Sequence, residues 1–269
     1  MEDSKYNATV VSKIQLTPDL MILRVDTDEP RTDFEAGQYT VIGLYGYEER
    51  AENSMEEAVP TEDEKLIQRP YSIASSKNKK RQFEFYISQV KSGQLTPRIF
   101  ALDLGDRLYI SKRIVGAFKL GDTPPHNDVV MVATGTGVAP YISFLRSYIT
   151  DRPEQKMAVI QGAAKQWDLG YYSELSFLDD GFDNFYYIPT LTHADETWDG
   201  YNLWIEEMLE MDIIQEETGI KIDPDGTHFF LCGNPKMVEN VSGWLKKFDY
   251  TRHTRREPGS LHIEEFWQD

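Results

Sequence analysis

The sequence predicts two domains of different fold classes: an antiparallel β-barrel or sandwich, followed by a doubly wound α/β domain with a parallel sheet. Short strand-like runs separated by turns extend from Ala8 to about Leu120, and apolar strands alternate with helical runs from residue 129 onward. The segment Thr123-Pro124-Pro125 lies between the two patterns. Because 269 residues are enough for two separate cores, we place the domains at 1–122 and 128–269.

Five runs of the first domain have the length and composition of β-strands, namely 9–16, 20–25, 34–41, 82–88 and 106–111. Between Tyr45 and Gln68 this pattern stops, and the chain is acidic with almost no apolar periodicity. We interpret this acidic segment as an exposed loop whose main effect is on solubility.

The second domain shows the alternation of strands and helices that is typical of a parallel sheet. Buried-type strands are predicted at 129–133, 157–160, 185–188 and 228–231. Helices are predicted between and after them, at 141–149, 173–178, 203–210 and 235–248.

Composition limits the class of function. A formal net charge of −17 argues against nucleic-acid binding, because the average surface field repels phosphates. Two basic clusters stand out from this background, and each is either plain solvated surface or a restricted docking face. They are Lys77, Lys79, Lys80 and Arg81 in the first domain, and Lys246, Lys247, Arg252, Arg255 and Arg256 in the second.

The N-terminal residues are acidic and polar, unlike a signal peptide, and no apolar run approaches the roughly 20 residues of a membrane span. The single Cys232 cannot form an internal disulfide or hold an iron-sulfur cluster by itself. The five histidines lack the spacings of metal ligands, so no metal is predicted. We expect a cytoplasmic protein.

A glycine-rich turn follows the first strand of the second domain. Gly135 and Gly137 would let backbone amides approach a diphosphate at the start of a helix, and Pro140 suits the first helical turn. The third glycine of the dinucleotide-binding pattern is absent, so a tight turn without a ligand remains an alternative at this point.

Two short motifs of the first domain suit a flavin nucleotide. In Arg69-Pro70-Tyr71-Ser72, a guanidinium suits a diphosphate, an aromatic face suits a tricyclic ring, and a hydroxyl suits the reactive nitrogen of that ring. Gly93-Gln94-Leu95-Thr96 offers a backbone amide and a hydroxyl to the same diphosphate, although a turn with a helix cap explains it equally well.

These motifs, together with Thr134 to Pro140 and Cys232-Gly233-Asn234-Pro235-Lys236-Met237, resemble the ferredoxin-NADP reductase family in its bacterial ferredoxin/flavodoxin reductase branch. The resemblance covers nearly the whole chain, including the ending from Arg256 to Trp267. It implies a Greek-key β-barrel that binds FAD, followed by an α/β domain that binds NADP(H) and a C-terminal tail that contacts the flavin.

The resemblance also implies roles for individual residues. Ser72, Cys232 and Glu264 would surround the reacting atoms of flavin and nicotinamide, while Tyr71 and Phe266 would flank the two faces of the flavin ring and Trp267 would lie near the adenine. A lone cysteine is otherwise most often a small buried apolar residue. The cofactor-binding residues that the resemblance implies are Arg69, Tyr71, Ser72, Gly93, Leu95, Thr96, Thr134, Gly135, Thr136, Gly137, Pro140, Lys165, Gly233, Phe266 and Trp267.

The chain departs from the family where the 2′-phosphate of NADP is bound. Related bacterial reductases place arginines at three positions, which here correspond to Lys165, His193 and Trp204. Charged hydrogen bonds to the 2′-phosphate have no counterpart in NAD, so their loss weakens discrimination. We therefore expect NADP(H) use with less discrimination against NAD(H) than is usual in the family.

The function implied is that of a monomeric FAD enzyme that exchanges a hydride with NADP(H) and transfers single electrons to or from ferredoxin or flavodoxin. A flavin suits this task because it accepts two electrons together and releases them one at a time. Two alternatives remain: an NADH-preferring flavin or quinone reductase, and an FAD-binding electron-transfer subunit of a larger complex. Subunits of the latter kind commonly carry a cysteine cluster, and this chain has one cysteine.

Overall fold

The computed structural model describes residues 5–31 and 33–265. The chain divides into two units, Met1–Gly116 and Ala117–Asp269. The boundaries predicted above, 1–122 and 128–269, stay a prediction. In the structure, Phe118 already packs with the second unit, where its ring lies 5.1 Å from that of Phe230.

The first unit is a six-stranded antiparallel sheet with strand order β4-β3-β6-β1-β2-β5. Its edges meet where the Ala74 amide, just after β4, donates to the Glu84 carbonyl of β5 at 2.9 Å, so the sheet closes into a barrel. This confirms the predicted class of the first domain. The strands are β1 (Ala8–Thr17), β2 (Leu20–Thr27), β3 (Tyr39–Tyr45), β4 (Leu66–Ser72), β5 (Gln82–Ser88) and β6 (Arg107–Ile110), and a short helix α1 (Thr96–Ala101) follows β5.

The third strand begins later than the sequence suggests. The prediction placed a strand at 34–41, but Gln38 donates its amide to the Glu35 carbonyl at 3.2 Å, and Gly37 has a φ of 88°. A turn therefore occupies this stretch, since the left-handed region favours glycine and interrupts an extended chain. Phe34 is still buried in the barrel core, which explains the strand-like apolar signal.

Residues 46–65, which join β3 to β4, contain no helix or strand. We call this segment the acidic loop. Most of its side chains are exposed, as expected, but the Glu57 side chain is only 8% exposed and lies between Arg50 and Arg98. The loop is therefore anchored to the barrel at one buried carboxylate.

The second unit is a five-stranded parallel sheet with strand order β11-β10-β7-β8-β9. From β7 the chain adds β8 and β9 on one side and then returns to add β10 and β11 on the other side. This reversal of strand order is typical of doubly wound folds, so the predicted class of the second domain is confirmed. The strands are β7 (Asp128–Thr134), β8 (Met157–Ala163), β9 (Phe185–Leu191), β10 (Thr227–Gly233) and β11 (Leu261–Glu265). The helices are α2 (Ala139–Tyr148), α3 (Tyr172–Gly181), α4 (Ile205–Glu210), α5 (Ile213–Thr218) and α6 (Pro235–Leu245).

Helices cover both faces of this sheet because successive strand residues point to opposite sides. Val130, Val132 and Leu231 share one core with apolar residues of α4, α5 and α6. On the other face, Phe230 packs against Phe144 of α2 at a ring distance of 5.2 Å. None of the helices in the described part of the chain is long and apolar enough to cross a membrane.

Candidate functional site

A cavity of about 740 Å³ lies in the second unit, where the parallel strands end. Open α/β sheets bind nucleotides at this edge, next to the point where the strand order reverses. Residues at or beyond the ends of four strands form its walls. Among them are Thr134 at the end of β7, Gly135 after it, Asp168 after β8, Trp204 after β9, and Asn234 and Lys236 after β10. The cavity has the position and the size of a nucleotide site.

The glycine-rich turn at 135–138 contacts the Cys232-Gly233-Asn234 segment at this edge of the sheet. A 3₁₀ turn covers Gly135–Val138, and a β-carbon on Gly137 would lie 2.2 Å from the Cys232 carbonyl oxygen. Gly233 has a φ of 134°, and the Thr134 hydroxyl accepts a hydrogen bond from the Asn234 amide at 2.8 Å. Glycine is therefore required at both positions, because the two backbones approach each other more closely than a side chain permits.

Cys232 and Glu264 are neighbours across β10 and β11, where their α-carbons are in register. The buried thiol donates to Oε2 of Glu264 over 3.8 Å. Burial raises the pKa of the Cys232 thiol well above its usual value, and the Glu264 carboxylate raises it further. The thiol therefore stays protonated near neutral pH, which suits a polar partner of a reacting group and not a nucleophile.

Tyr141, which the sequence analysis did not single out, fixes the helix behind this pair. Its hydroxyl lies 2.9 Å from the Val132 carbonyl of β7 and 2.7 Å from the Phe230 carbonyl of β10. Burial raises the pKa of the Tyr141 phenol, and nearby Cys232 and Glu264 add to that effect. The sequence did not indicate these hydrogen bonds, because Tyr141 occupies one of several apolar positions in the helical pattern and its hydroxyl partners lie on β7 and β10.

The three positions predicted around the 2′-phosphate do not share one cavity. Trp204 lines the large cavity with 61% of its surface exposed. Lys165 and His193 line a separate cavity of about 110 Å³, and the Lys165 ammonium lies 4.9 Å from the centre of the Trp167 ring. Ala164 and Thr192, which precede Lys165 and His193 in the sequence, line the large cavity, so the lysine and the histidine lie next to it.

Carboxylates outnumber cations along the wall of the large cavity. Asp168, Glu206 and Glu207 line it together with Lys236, whose ammonium lies 2.9 Å from Glu239. The two glutamates have fixed partners, since Glu206 accepts from Asn240 at 2.7 Å and Glu207 accepts from the Trp204 amide at 2.7 Å. The sequence analysis missed these acids, although their position at the start of α4, beyond the end of β9, is where nucleotide contacts are expected.

In the first unit, the residues of the predicted flavin motif lie along β4. Ser72 is buried, and the partly buried Tyr71 ring packs edge-on against Phe85 at 6.5 Å. Burial raises the pKa of the Tyr71 phenol, although nearby Arg69 lowers it, so the ring is neutral. The exposed Arg69 guanidinium lies 3.4 Å from Oε1 of Gln94, which brings the two motifs of this domain together.

The Gly93-Gln94-Leu95-Thr96 segment forms a turn that leads into α1. The Thr96 hydroxyl accepts from the Val90 amide at 2.9 Å and lies 3.2 Å from the Val90 carbonyl, so it closes this turn. Gly93 donates its amide to the same carbonyl at 2.8 Å, and the Leu95 side chain is buried in the barrel core. The hydroxyl that the sequence analysis offered to a diphosphate is therefore engaged with the backbone, whereas the amides of Gln94 and Leu95 donate to no other described residue.

Phe266 and Trp267 lie outside the described residues. Thr136 and Pro140 lie in the turn and at the first turn of α2, next to Gly135 and Gly137. Within residues 5–31 and 33–265, no group of three or more His, Cys, Asp or Glu side chains is placed to hold a metal ion.

Comparison with known protein families identifies the class of each unit. A model of the oxidoreductase FAD-binding domain matches residues 7–118, and a model of the oxidoreductase NAD-binding domain matches residues 131–243. The barrel with the Arg69 motif and the sheet with the nucleotide cavity thus define an oxidoreductase with FAD- and NAD-binding domains.

Relatives with curated names narrow this class. The chain is 29% identical over 247 residues to a flavodoxin/ferredoxin-NADP reductase of Buchnera aphidicola subsp. Baizongia pistaciae, covering 91% of this chain and 93% of that one. It is 30% identical to ferredoxin-NADP reductase B of Sorangium cellulosum, covering 65% of this chain and 70% of that one. The chain belongs to the ferredoxin-NADP reductase family, as the sequence motifs predicted.

A solved structure has a similar fold over nearly the full length of the chain. A ferredoxin NADP⁺ reductase from Neisseria gonorrhoeae, crystallised with bound FAD and NADP, superposes with a TM-score of 0.82 at 25% identity. The match covers 97% of this chain and 99% of that one.

Proposed function

We propose that this protein exchanges a hydride with NADP(H) through bound FAD and transfers single electrons to or from ferredoxin or flavodoxin. The observation that carries the proposal is the contact between Gly137 and the Cys232 carbonyl, which joins the nucleotide loop to the Cys232–Glu264 pair. Relatives from Buchnera and Escherichia coli are named flavodoxin/ferredoxin-NADP reductases, which supports the choice of carriers. The monomeric state and the cytoplasmic location stay predictions.

The first unit suits FAD. Arg69 is exposed beside Gln94, and the partly buried ring of Tyr71 suits one face of the flavin. The amides of Gln94 and Leu95, which donate to no other described residue, suit diphosphate oxygens. We assign the buried Ser72 hydroxyl to the reactive edge of the flavin ring. Bound FAD would supply the conversion between two-electron and one-electron transfer.

The second unit suits a nicotinamide nucleotide. In this proposal the turn at Gly135–Val138 approaches the diphosphate. The shape of this turn is set by Thr134, Thr136, Pro140 and Gly233. Lys165 interacts with the 2′-phosphate as a point charge. Cys232 and Glu264 border the reacting carbon. Because the raised pKa keeps the Cys232 thiol protonated, it would hold its proton toward Glu264 and leave the hydride step free of a competing thiolate.

The structure distinguishes the two basic clusters. In the first, Lys77, Lys80 and Arg81 are paired with Glu35, Asp33 and Asp26 at 3.5, 2.6 and 3.6 Å, respectively. In the second, Lys246, Lys247, Arg255 and Arg256 are exposed and form no ion pair with any residue that the structure describes. We infer that an acidic carrier docks on the second cluster, where the positive charge is not already neutralised.

A specific observation favours a second candidate, an NADH-preferring flavin or quinone reductase. The cavity wall carries Asp168, Glu206 and Glu207 against the single lysine Lys236 among the lining residues described. Such a wall repels a 2′-phosphate more than it repels a 2′-hydroxyl.

An anaerobic titration of the purified holoprotein with NADPH, and separately with NADH, tests the proposal. Bleaching of the flavin absorbance band by NADPH at the lower concentration is expected. Equal or better bleaching by NADH would move the second candidate to first place, and the absence of a flavin band would contradict both. Reduction of ferredoxin or flavodoxin by the NADPH-reduced protein would then test the carrier.

A further inference from the structure

We propose that Glu57 of the acidic loop is a positioning residue for the FAD diphosphate: it holds Arg50 and Arg98 so that their guanidinium groups orient the peptide planes of Gly93-Gln94 and Gln94-Leu95. The inference rests on the proposed function, because it takes FAD as the ligand of this segment. All of the residues concerned lie in the first unit.

The carboxylate of Glu57 lies between two guanidinium groups. Its Oε1 accepts from Nη1 of Arg50 at 2.7 Å and from Nη1 of Arg98, and its Oε2 accepts from the Thr61 amide at 2.8 Å. The side chains of Glu57, Arg98 and Arg50 are only 8%, 5% and 20% exposed. Both arginines also donate to backbone carbonyls, Arg50 to those of Met55 and Lys91 and Arg98 to that of Gly46. Glu57 supplies the negative charge that offsets the repulsion between the two largely buried cations.

The same two guanidinium groups bind the carbonyls of the predicted diphosphate segment. Nη1 of Arg50 donates to the Gly93 carbonyl at 2.9 Å, and Nη1 of Arg98 donates to the Gln94 carbonyl at 2.6 Å. In a planar trans peptide the N–H of the next residue points away from the carbonyl. The amides of Gln94 and Leu95 therefore point away from the guanidinium groups, and neither donates a hydrogen bond to another described residue.

Two adjacent amides that donate to no other described residue form a site that attracts anionic oxygens. Nη2 of Arg69 reaches the same segment, 3.4 Å from the Gln94 side chain. Arg50, Glu57 and Arg98 together carry one net positive charge, and Arg69 adds a second. This matches the two negative charges of a diphosphate ester, with fixed donors on the turn and the Arg69 cation beside it.

A loop that acts only on solubility has no need of this arrangement. Most acidic side chains of 46–65 are exposed, as solubility requires, but Glu57 is turned inward and anchored at both carboxylate oxygens. The favourable ion contacts lower the pKa of Glu57 even though burial alone raises it, so the carboxylate is ionised at neutral pH. The loop therefore brings one permanent negative charge to the back of the diphosphate turn.

The test compares Glu57→Gln with Glu56→Gln, the exposed neighbour on the same loop. The dissociation constants of FAD and riboflavin are measured with the full-length apoprotein, and thermal unfolding is followed in parallel. Riboflavin lacks the diphosphate, so its dissociation constant measures binding of the flavin ring without it. We expect Glu57→Gln to weaken FAD binding at least tenfold with riboflavin binding unchanged, and Glu56→Gln to behave as the wild type.

If Glu57→Gln lost affinity for FAD and riboflavin equally, Glu57 would have a structural role only and the inference would be wrong. Unchanged FAD binding would also overturn the inference. If Glu57→Gln does not fold, Arg50→Lys takes its place, because lysine keeps the charge but cannot bridge Glu57 and the Gly93 carbonyl in the same planar geometry. It should show the same selective loss, and FAD binding at the wild-type level would again overturn the inference. Failure of the wild type to bind FAD would contradict the proposed function itself.

Discussion

Gly137 and Cys232 touch through their backbones: a β-carbon on Gly137 would lie 2.2 Å from the carbonyl oxygen of Cys232. The residues are 95 positions apart in sequence, yet the glycine-rich turn packs directly on the strand that carries the thiol.

Gly137→Ala should destabilise the second unit and weaken NADPH binding, because the backbone atoms around Cys232 cannot yield as a flexible side chain would. We expect a loss of about 1–3 kcal/mol in the free energy of unfolding, as for other overpacked sites. Urea titration and NADPH binding measure the two effects. Gly181→Ala, where an added β-carbon meets nothing within 4 Å, is the matched control, and equal behaviour of the two variants would contradict the prediction.

Trp204→Arg should raise the preference for NADPH over NADH, because it places a permanent cation on the wall of the nucleotide cavity. A charge-assisted hydrogen bond to the 2′-phosphate would change the ratio of the two kcat/KM values about tenfold or more. Trp204→Leu removes the ring without adding charge and serves as the control. An unchanged ratio in Trp204→Arg would show that position 204 does not face the phosphate.

The histidines of β10 and β11 should make the second unit sensitive to acid. Nδ1 of His228 and Nε2 of His262 are 3.0 Å apart, and His262 stacks on Phe230 and on His253, with ring distances of 4.2 and 4.6 Å. Burial, with His253 and His228 nearby, lowers the pKa of His262 to about 3, and burial also lowers the pKa of His228.

The sign of the pH effect follows from these shifts. In the unfolded chain a histidine takes up a proton below about pH 6.5, whereas the folded His262 stays neutral until the pH approaches 3. The contribution of His262 to the free energy of unfolding is therefore fully present above pH 6.5 and is lost as the pH falls toward 3. One such proton gives a slope of about 1.4 kcal/mol per pH unit. Between pH 6.5 and 5, the free energy of unfolding should fall more steeply in the wild type than in His262→Phe. The exposed His126→Gln variant should follow the wild type, and parallel curves for all three would refute the assignment.

Replacing Lys246 and Lys247, or Arg255 and Arg256, by glutamine should lower kcat/KM for an acidic carrier about three- to tenfold at low salt, while NADPH oxidation with a small dye is unchanged. The dependence of the rate on ionic strength should become shallower. The double variant of Lys80 and Arg81, whose charges are already paired with Asp33 and Asp26, should change little. A larger effect at Lys80 and Arg81 would move the docking face to the first cluster.

The sequence predicted both fold classes and the family because local patterns carry that information. Alternating strands and turns, the spacing of Gly135 and Gly137, and the motif around Tyr71 are all visible within short windows. The strand β11 was missed because its five residues gain their extended conformation from pairing with β10, which no short window reveals.

The contacts that organise the candidate sites were also out of reach. Glu57 and Arg98 are 41 residues apart, and an acidic stretch without periodicity gives no sign that one of its carboxylates is buried. Lys165 and Trp204 line different cavities because of how the loops after β8 and β9 fold, and the sequence alone does not reveal this. Loop geometry of this kind is set by tertiary packing and not by local preference.

The contact between the glycine-rich turn and β10 limits how this enzyme can be re-engineered. Because Gly137, Gly233 and Thr134 interlock through main-chain atoms, a redesign that reshapes the turn to suit another coenzyme also displaces the strand that carries the thiol. The Glu207 side chain at the start of α4 has no such constraint, because in the described part of the chain it hydrogen-bonds only to the nearby Trp204 amide. Under the proposed function, substitutions at α4 are therefore expected to change coenzyme choice while they leave the backbone around Cys232 intact.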